Sequence, residues 1–140
     1  MSSLVRSLEA LTLTISAGPN DNRRLISARG RLIAPNEYRN WKVSAFNEII
    51  AQLPRGWKPL EPTEEDQLPY TIKVFIPSRR VDHTNYLKCV QDALVESGVF
   101  VDDRWVVPRF EPCELDKKNP RIIITLEYET SRERGSLDNR

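Results

Sequence analysis

The sequence predicts a single α+β domain, a mixed β-sheet flanked by two helices in the order β-(β)-α-β-α-β-β. Three observations carry this expectation. Leu11–Ser16 alternates apolar and polar residues at the strand period, Tyr70–Ile76 sets Ile72, Val74 and Ile76 on one face, and two other segments repeat apolar residues at the helical period. The third is length: 140 residues hold one core of ordinary size, burying about two thirds of the unfolded surface.

Leu11 to Ser16 (Leu-Thr-Leu-Thr-Ile-Ser) alternates cleanly and predicts a half-buried strand. Residues 17–22 cluster Gly, Pro, Asn and Asp and predict a turn. Residues 24–33 read as a hairpin-like excursion around Arg29-Gly30. From Pro35 to Leu53, Tyr38, Trp41, Ala45, Ile49 and Leu53 recur at helical spacing, with Pro35 in the first turn and Pro54 as the stop. Residues 54–69, rich in proline and acid, predict a loop. Tyr70 to Ile76 predicts a strand with Ile72, Val74 and Ile76 on one face. A helix is expected over Thr84–Ser97, with Thr84 as N-cap and Gly98 at the C′ position. Trp105-Val106-Val107 opens a further strand, and Arg121 to Tyr128 forms the last. These elements divide the chain into a flexible lead over 1–10, a domain over 11–130 and a polar tail over 131–140.

Composition excludes several classes. No stretch approaches the ~20 apolar residues of a membrane span, and Arg6 and Glu9 interrupt any signal-peptide core. Cys89 and Cys113 have neither CxxC nor Cys/His spacing, and the single histidine disfavours His-built metal sites. A reducing cytoplasm is the expected location. The Gly18–Asn22 turn lacks the glycines and the Lys-Ser/Thr of a phosphate loop, so no nucleotide cofactor is expected. Net charge is only +1, yet residues 1–58 carry nine Lys/Arg against four acids. That excess fits a solvated face, and equally a basic rim beside an acidic centre.

The chemistry concentrates between residues 79 and 103. Asp82 precedes the Thr84–Ser97 helix and Asp102-Asp103 follow it. On that helix Leu87, Val90 and Leu94 mark the buried face, while Asn85, Lys88 and Asp92 form a second, polar stripe. Lys88 lies one turn in from Thr84, from where its ammonium reaches back toward Asp82. If the strands on either side of the helix are neighbours, Asp82 and Asp102-Asp103 meet at one edge of the sheet. Carboxylates that close repel unless a hard divalent cation sits between them, and Arg79, Arg80 and Lys88 would neutralise a phosphate. Each acid also has a plain structural reading, Asp82 as a helix cap and Asp102-Asp103 as a turn.

The pattern Arg79-Arg80-x-Asp82-x-x-Asn85-x-x-Lys88-x-x-x-Asp92-Ala93-Leu94-x-x-x-Gly98-x-x-x-Asp102-Asp103 resembles the signature of the RusA family of Holliday junction resolvases. The resemblance extends to the Gly18–Asn22 turn and the final Ile-Thr-Leu strand, covering about residues 11–128. It implies a RusA-like fold and a small homodimeric endonuclease, often encoded by phages or prophages. The partner would be branched DNA, and the cofactor Mg²⁺, with Mn²⁺ as a substitute. It assigns Asp82 and Asp103 as metal-binding acids and Lys88 as the catalytic lysine. Asp102, a water or the scissile phosphate would complete the coordination. Arg79, Arg80, Asn85 and Lys88 would contact DNA or orient the site. One departure stands out: the family acid just before the Asn is Thr84 here, which removes a negative charge.

Other candidates are weaker. His83 has a phosphate-contacting and a packing reading, and Cys89 lacks an orienting partner for a thiol nucleophile. Trp41 and Trp57 read as core or flank, Phe100 is open with core packing favoured, and Trp105 reads as core or a base-stacking group. The competing functions are a junction-binding protein that does not cut, and an interaction domain whose acids are only caps and turns.

Overall fold

The computed structural model describes residues 4–17, 26–28, 31–33 and 36–133. Its main sheet has five strands: β1 (Leu4–Ser16), β4 (Leu68–Ile76), β5 (Val106–Phe110), β6 (Glu114–Leu115) and β7 (Arg121–Glu133). The order is β1-β7-β4-β5, with β6 pairing β4 beyond the end of β5. β7 is antiparallel to both neighbours, whereas β5 and β6 run parallel to β4. A separate hairpin joins β2 (Ile26–Ala28) to β3 (Arg31–Ile33), matching the excursion expected around Arg29-Gly30. The expected turn at Gly18–Asn22 and Pro35 lie outside the described residues.

Cross-strand register explains why this sheet has one dry face. Leu11, Leu126 and Tyr70 stand side by side in one row; Leu13, Ile124 and Ile72 form the next, and Ile15, Ile122 and Val74 the third. All nine are buried. Each such side chain stabilises the fold by roughly 1.5–3 kcal/mol relative to exposure. Their sequence neighbours Thr12, Thr14 and Ser16 point to the opposite, wet face, as the period of two requires. α1 (Asn36–Gln52) and α2 (Leu87–Glu96) complete the same core. α1 contributes Tyr38, Trp41, Ala45 and Ile49, the spacing expected from sequence.

α1 also covers the free edge of β1. Gln52 accepts from the Thr14 N–H and donates to its carbonyl, Glu48 accepts from the Ser16 N–H, and the Trp41 indole donates to the Ser16 carbonyl. These side chains stand in for a missing strand and block edge-to-edge pairing.

Two boundaries differ from expectation. The first strand starts at Leu4, not Leu11, and the last runs to Glu133, because Leu4–Ala10 pair with Glu127–Glu133. β4 stops pairing at Tyr70↔Leu126, so this ribbon extends past it by about 20 Å. The flexible lead expected over 1–10 is therefore strand from Leu4 on. Backbone pairing, which composition does not encode, sets that limit.

The loop before β4 is pinned. The Trp57 indole donates to the Gly98 carbonyl and its ring packs edge-on against Tyr128 at 4.9 Å. Gly98 ends α2 with φ of +82°. Its N–H reaches the Val95 carbonyl and the Val99 N–H reaches that of Leu94, the paired bonds of a Schellman cap.

Candidate active site

The site region is one β–α–β crossover: β4, the loop from Pro77 to Asp82, α2, and β5. Ser78 starts the loop's turn by accepting the Arg80 N–H on its hydroxyl and the Val81 N–H on its carbonyl. Arg79 and Arg80 are left exposed at its tip. The helix then begins earlier than expected, as a 3-10 turn over His83–Tyr86, with Asp82 as its cap in place of Thr84. Asp82 Oδ1 accepts from the Thr84 N–H at 3.1 Å and from its hydroxyl at 2.8 Å. The Thr84 hydroxyl, then its N–H, hold the Asp82 carboxyl below the usual range, with a smaller contribution from the His83 charge.

Downstream, Lys88 pairs with Asp92 at 3.2 Å, one turn forward. Both are partly exposed, so this pair is a surface interaction worth a few tenths of a kcal/mol. After α2, Asp102 Oδ1 accepts the Arg104 N–H at 2.9 Å and shapes the turn into β5. Asp103 is exposed beside it. The structural readings of Asp82 as cap and Asp102 as turn are thus realised, each through one oxygen.

β4 and β5 are neighbours, but in parallel, and this changes the expected meeting of the acids. β5 starts beside Leu68, so Asp102-Asp103 lie at the amino end of β4, while Asp82 follows its carboxyl end. The Pro77–Asp82 loop recovers part of that separation by folding back. His83 packs edge-on against Phe110 at 5.3 Å, and Phe110 stands opposite Ile72, midway along β4. The acids therefore flank edge strand β5 from its two ends, with the Asn85–Lys88–Asp92 stripe of α2 between them in sequence. Pro108 sits on this edge, where the lack of an N–H costs no ladder bond.

Among the described residues no group of three or more His, Cys, Asp or Glu comes together closely enough to hold a metal. The donors present are all oxygens on exposed side chains: Asp82, Thr84, Asp102 and Asp103. That chemistry suits a hard cation of the Mg²⁺ kind, which takes one or two carboxylates and draws its remaining ligands from phosphate and water.

Lys42, Lys73 and Arg121 are engaged by Glu96, Glu114 and Asp116. Arg79, Arg80, Arg104 and Arg109, which border the crossover, are exposed and have no ion pair among the described residues. Sequence reasoning singled out the first two and missed the others. Arg104 adjoins the acid pair and Arg109 alternates outward on β5, but neither signal is distinctive without the fold. A groove of about 550 Å³ beside the loop before β4 is lined by Glu61, Asp66, Glu127 and Glu129, and its acidity would repel a phosphate chain.

The minor candidates resolve simply. The His83 ring packs, Cys89 is buried with its thiol on the Tyr86 carbonyl, and Phe100 is core against Tyr70. Trp105 is half-buried, and its carbonyl receives the Leu68 N–H. No described helix is long and apolar enough to cross a membrane.

The family model described as Endodeoxyribonuclease RusA matches residues 15–127. No curated protein matches the chain.

Proposed function

The chain belongs to the RusA family of endodeoxyribonucleases, whose substrate is branched DNA, and from that premise we propose that it cuts four-way junctions by Mg²⁺-dependent phosphodiester hydrolysis, acting as a homodimer. In this reading Asp82 and Asp103 hold the cation, with the second oxygen of Asp102 available to help, and Mn²⁺ substitutes. A bound ion supplies Lewis-acid polarisation of the phosphate and a more acidic attacking water. Lys88 stabilises charge as it builds on the phosphate oxygens, and Asp92 keeps its ammonium in place until DNA competes for it. Asn85, on the same stripe, orients Lys88 or a water. Arg79, Arg80, Arg104 and Arg109 grip backbone phosphates on either side of the cut. Junction choice follows from the spacing of two sites in a dimer and from DNA shape, not from base reading.

One observation carries this reading: the Arg79–Asp103 block folds as a single crossover, and its exposed acids, Lys88 and arginines with no ion pair among the described residues border α2 and an edge strand. A second reading, junction binding without cutting, is favoured by Thr84. Its hydroxyl is committed to Asp82, in the position where the family resemblance implies a third acid.

Cleavage of a labelled synthetic four-way junction tests both, with linear duplex as control, Mg²⁺ against EDTA, and wild type against Asp82→Asn. Paired Mg²⁺-dependent nicks near the branch point that vanish in the variant support the nuclease. Tight junction binding without nicks in Mg²⁺ or Mn²⁺ makes the binder reading correct.

A further inference from the structure

α1 is apolar on two faces, and its own subunit uses only one of them. Tyr38, Trp41, Ala45 and Ile49 are buried in the core. Val43, Phe46 and Ile50, spaced three and four residues apart, form a second stripe that stays 63%, 40% and 47% exposed. Leu53 continues the stripe at the same spacing and is half-buried. Apolar residues alternating at three and four make the narrow seam along which two helices pack knobs into holes. Elsewhere among the described residues the exposed large apolar side chains, Leu8, Val101, Val107 and Leu115, stand one to a segment.

The seam is also free of charge. Between Arg39 and Arg55 only Lys42 and Glu48 are charged, and both are engaged within their own subunit. Lys42 pairs with Glu96 of α2 at 2.7 Å, and Glu48 accepts from the Ser16 N–H and hydroxyl. Around the stripe α1 exposes Asn40, Ser44, Asn47 and Ala51. In a chain with 29% charged residues, such a face matches the charge-poor centre of a protein interface better than a solvated helix surface. The short flanking side chains let a second helix axis come close. Neutrality also selects the occupant. A two-fold axis sets a surface against its own copy, where like charges would repel, and this face meets itself without that penalty. Arg39 and Arg55 lie exposed at its two ends, where solvent and salt screen them.

We propose that α1 is the dimer interface: a second copy of this chain packs its Val43–Phe46–Ile50 stripe against the same stripe, across a two-fold axis passing near Phe46 and Asn47. The inference rests on the homodimer reading above and names the surface that makes the dimer. α1 covers β1, whereas β5 is the other edge of the sheet, so pairing through α1 leaves the arginine-bordered edge of each subunit open to DNA. The contact is apolar and should hold as KCl rises, unlike a grip on phosphates.

Sedimentation equilibrium at low and high KCl tests this on wild type, on the double variant Val43→Glu with Ile50→Glu, and on Leu8→Glu, an exposed apolar site off the seam. Glutamate is a better helix former than valine or isoleucine, so α1 should stay folded, which circular dichroism checks. The double variant should raise the dimer dissociation constant by roughly a hundredfold or more, because it sets carboxylates face to face. Neither Leu8→Glu nor added salt should raise it. Independently, Asn47→Cys should form a covalent dimer on mild oxidation that dithiothreitol reverses. Wild type, whose Cys89 and Cys113 lie off the seam, should form none. A wild-type dimer that the double variant leaves intact, or that Asn47→Cys fails to trap, overturns the role of α1 and leaves the homodimer standing. A wild type that is monomeric at every concentration, with and without junction DNA, overturns both.

Discussion

The four arginines around the crossover that have no ion pair among the described residues make a quantitative prediction about salt. Each phosphate contact releases counterions, and the slope of log affinity against log salt changes by about 0.9 per contact on duplex DNA. If Arg79, Arg80, Arg104 and Arg109 each meet one phosphate, replacing all four by alanine should flatten the slope by about 3.6 per subunit. Between 50 and 200 mM KCl that is a loss of roughly 150-fold in salt sensitivity, with each arginine responsible for about 3.5-fold. Fluorescence anisotropy on a labelled four-way junction in EDTA measures this without cutting. Lys42→Ala is the control, because Lys42 is already paired with Glu96 at 2.7 Å. Equal slopes for wild type and the fourfold variant would refute the assignment of this edge as the DNA-gripping surface. A Lys42 variant as flat as the others would show that the effect is bulk charge and not contact.

Three further outcomes are expected. Gly98→Ala forces a residue with a Cβ into φ of +82° and should cost about 1 kcal/mol, or some 3–4 °C in thermal midpoint, while leaving nicking at low temperature intact. Thr84→Asp adds the carboxylate that the resemblance implies and should lower the Mg²⁺ needed for nicking; an unchanged titration means another ligand already fills that place. The Arg121 guanidinium, then the Asn119 N–H, hold the Asp116 carboxyl below its ordinary 3.8, so its ionised form favours the folded state. That contribution is present above pH 3.8 and disappears as pH falls through the lower folded value. Acid unfolding of Asp116→Asn should therefore be shallower than wild type in that window, and parallel curves would reject the contact's role.

Local rules served well where the signal was periodic. The Tyr38–Ile49 face, the Leu11–Ser16 and Tyr70–Ile76 strand faces and the Gly98 stop follow from side-chain spacing and one special backbone angle, and all are present in the fold. They failed where one residue type had two good uses. Thr84 and Asp82 are both competent caps, and Asp82 takes the position because its oxygen reaches the Thr84 N–H and hydroxyl together. Lys88 was free to lean either way along α2, and Asp92 drew it forward.

The sequence by itself determined the class of domain, the dry face of the sheet and the family block from Arg79 to Asp103, because these depend on period and identity along one strand or helix. Only the tertiary structure decided how that block is arranged in space. The parallel pairing of β4 with β5 sets the two groups of acids at different ends of the edge strand, and the fold-back of the Pro77–Asp82 loop brings them part of the way together. It also left Arg104 and Arg109 exposed along the crossover with no ion pair among the described residues. Such relations join residues far apart in the chain, and their energies arise from burial and register that no local pattern records.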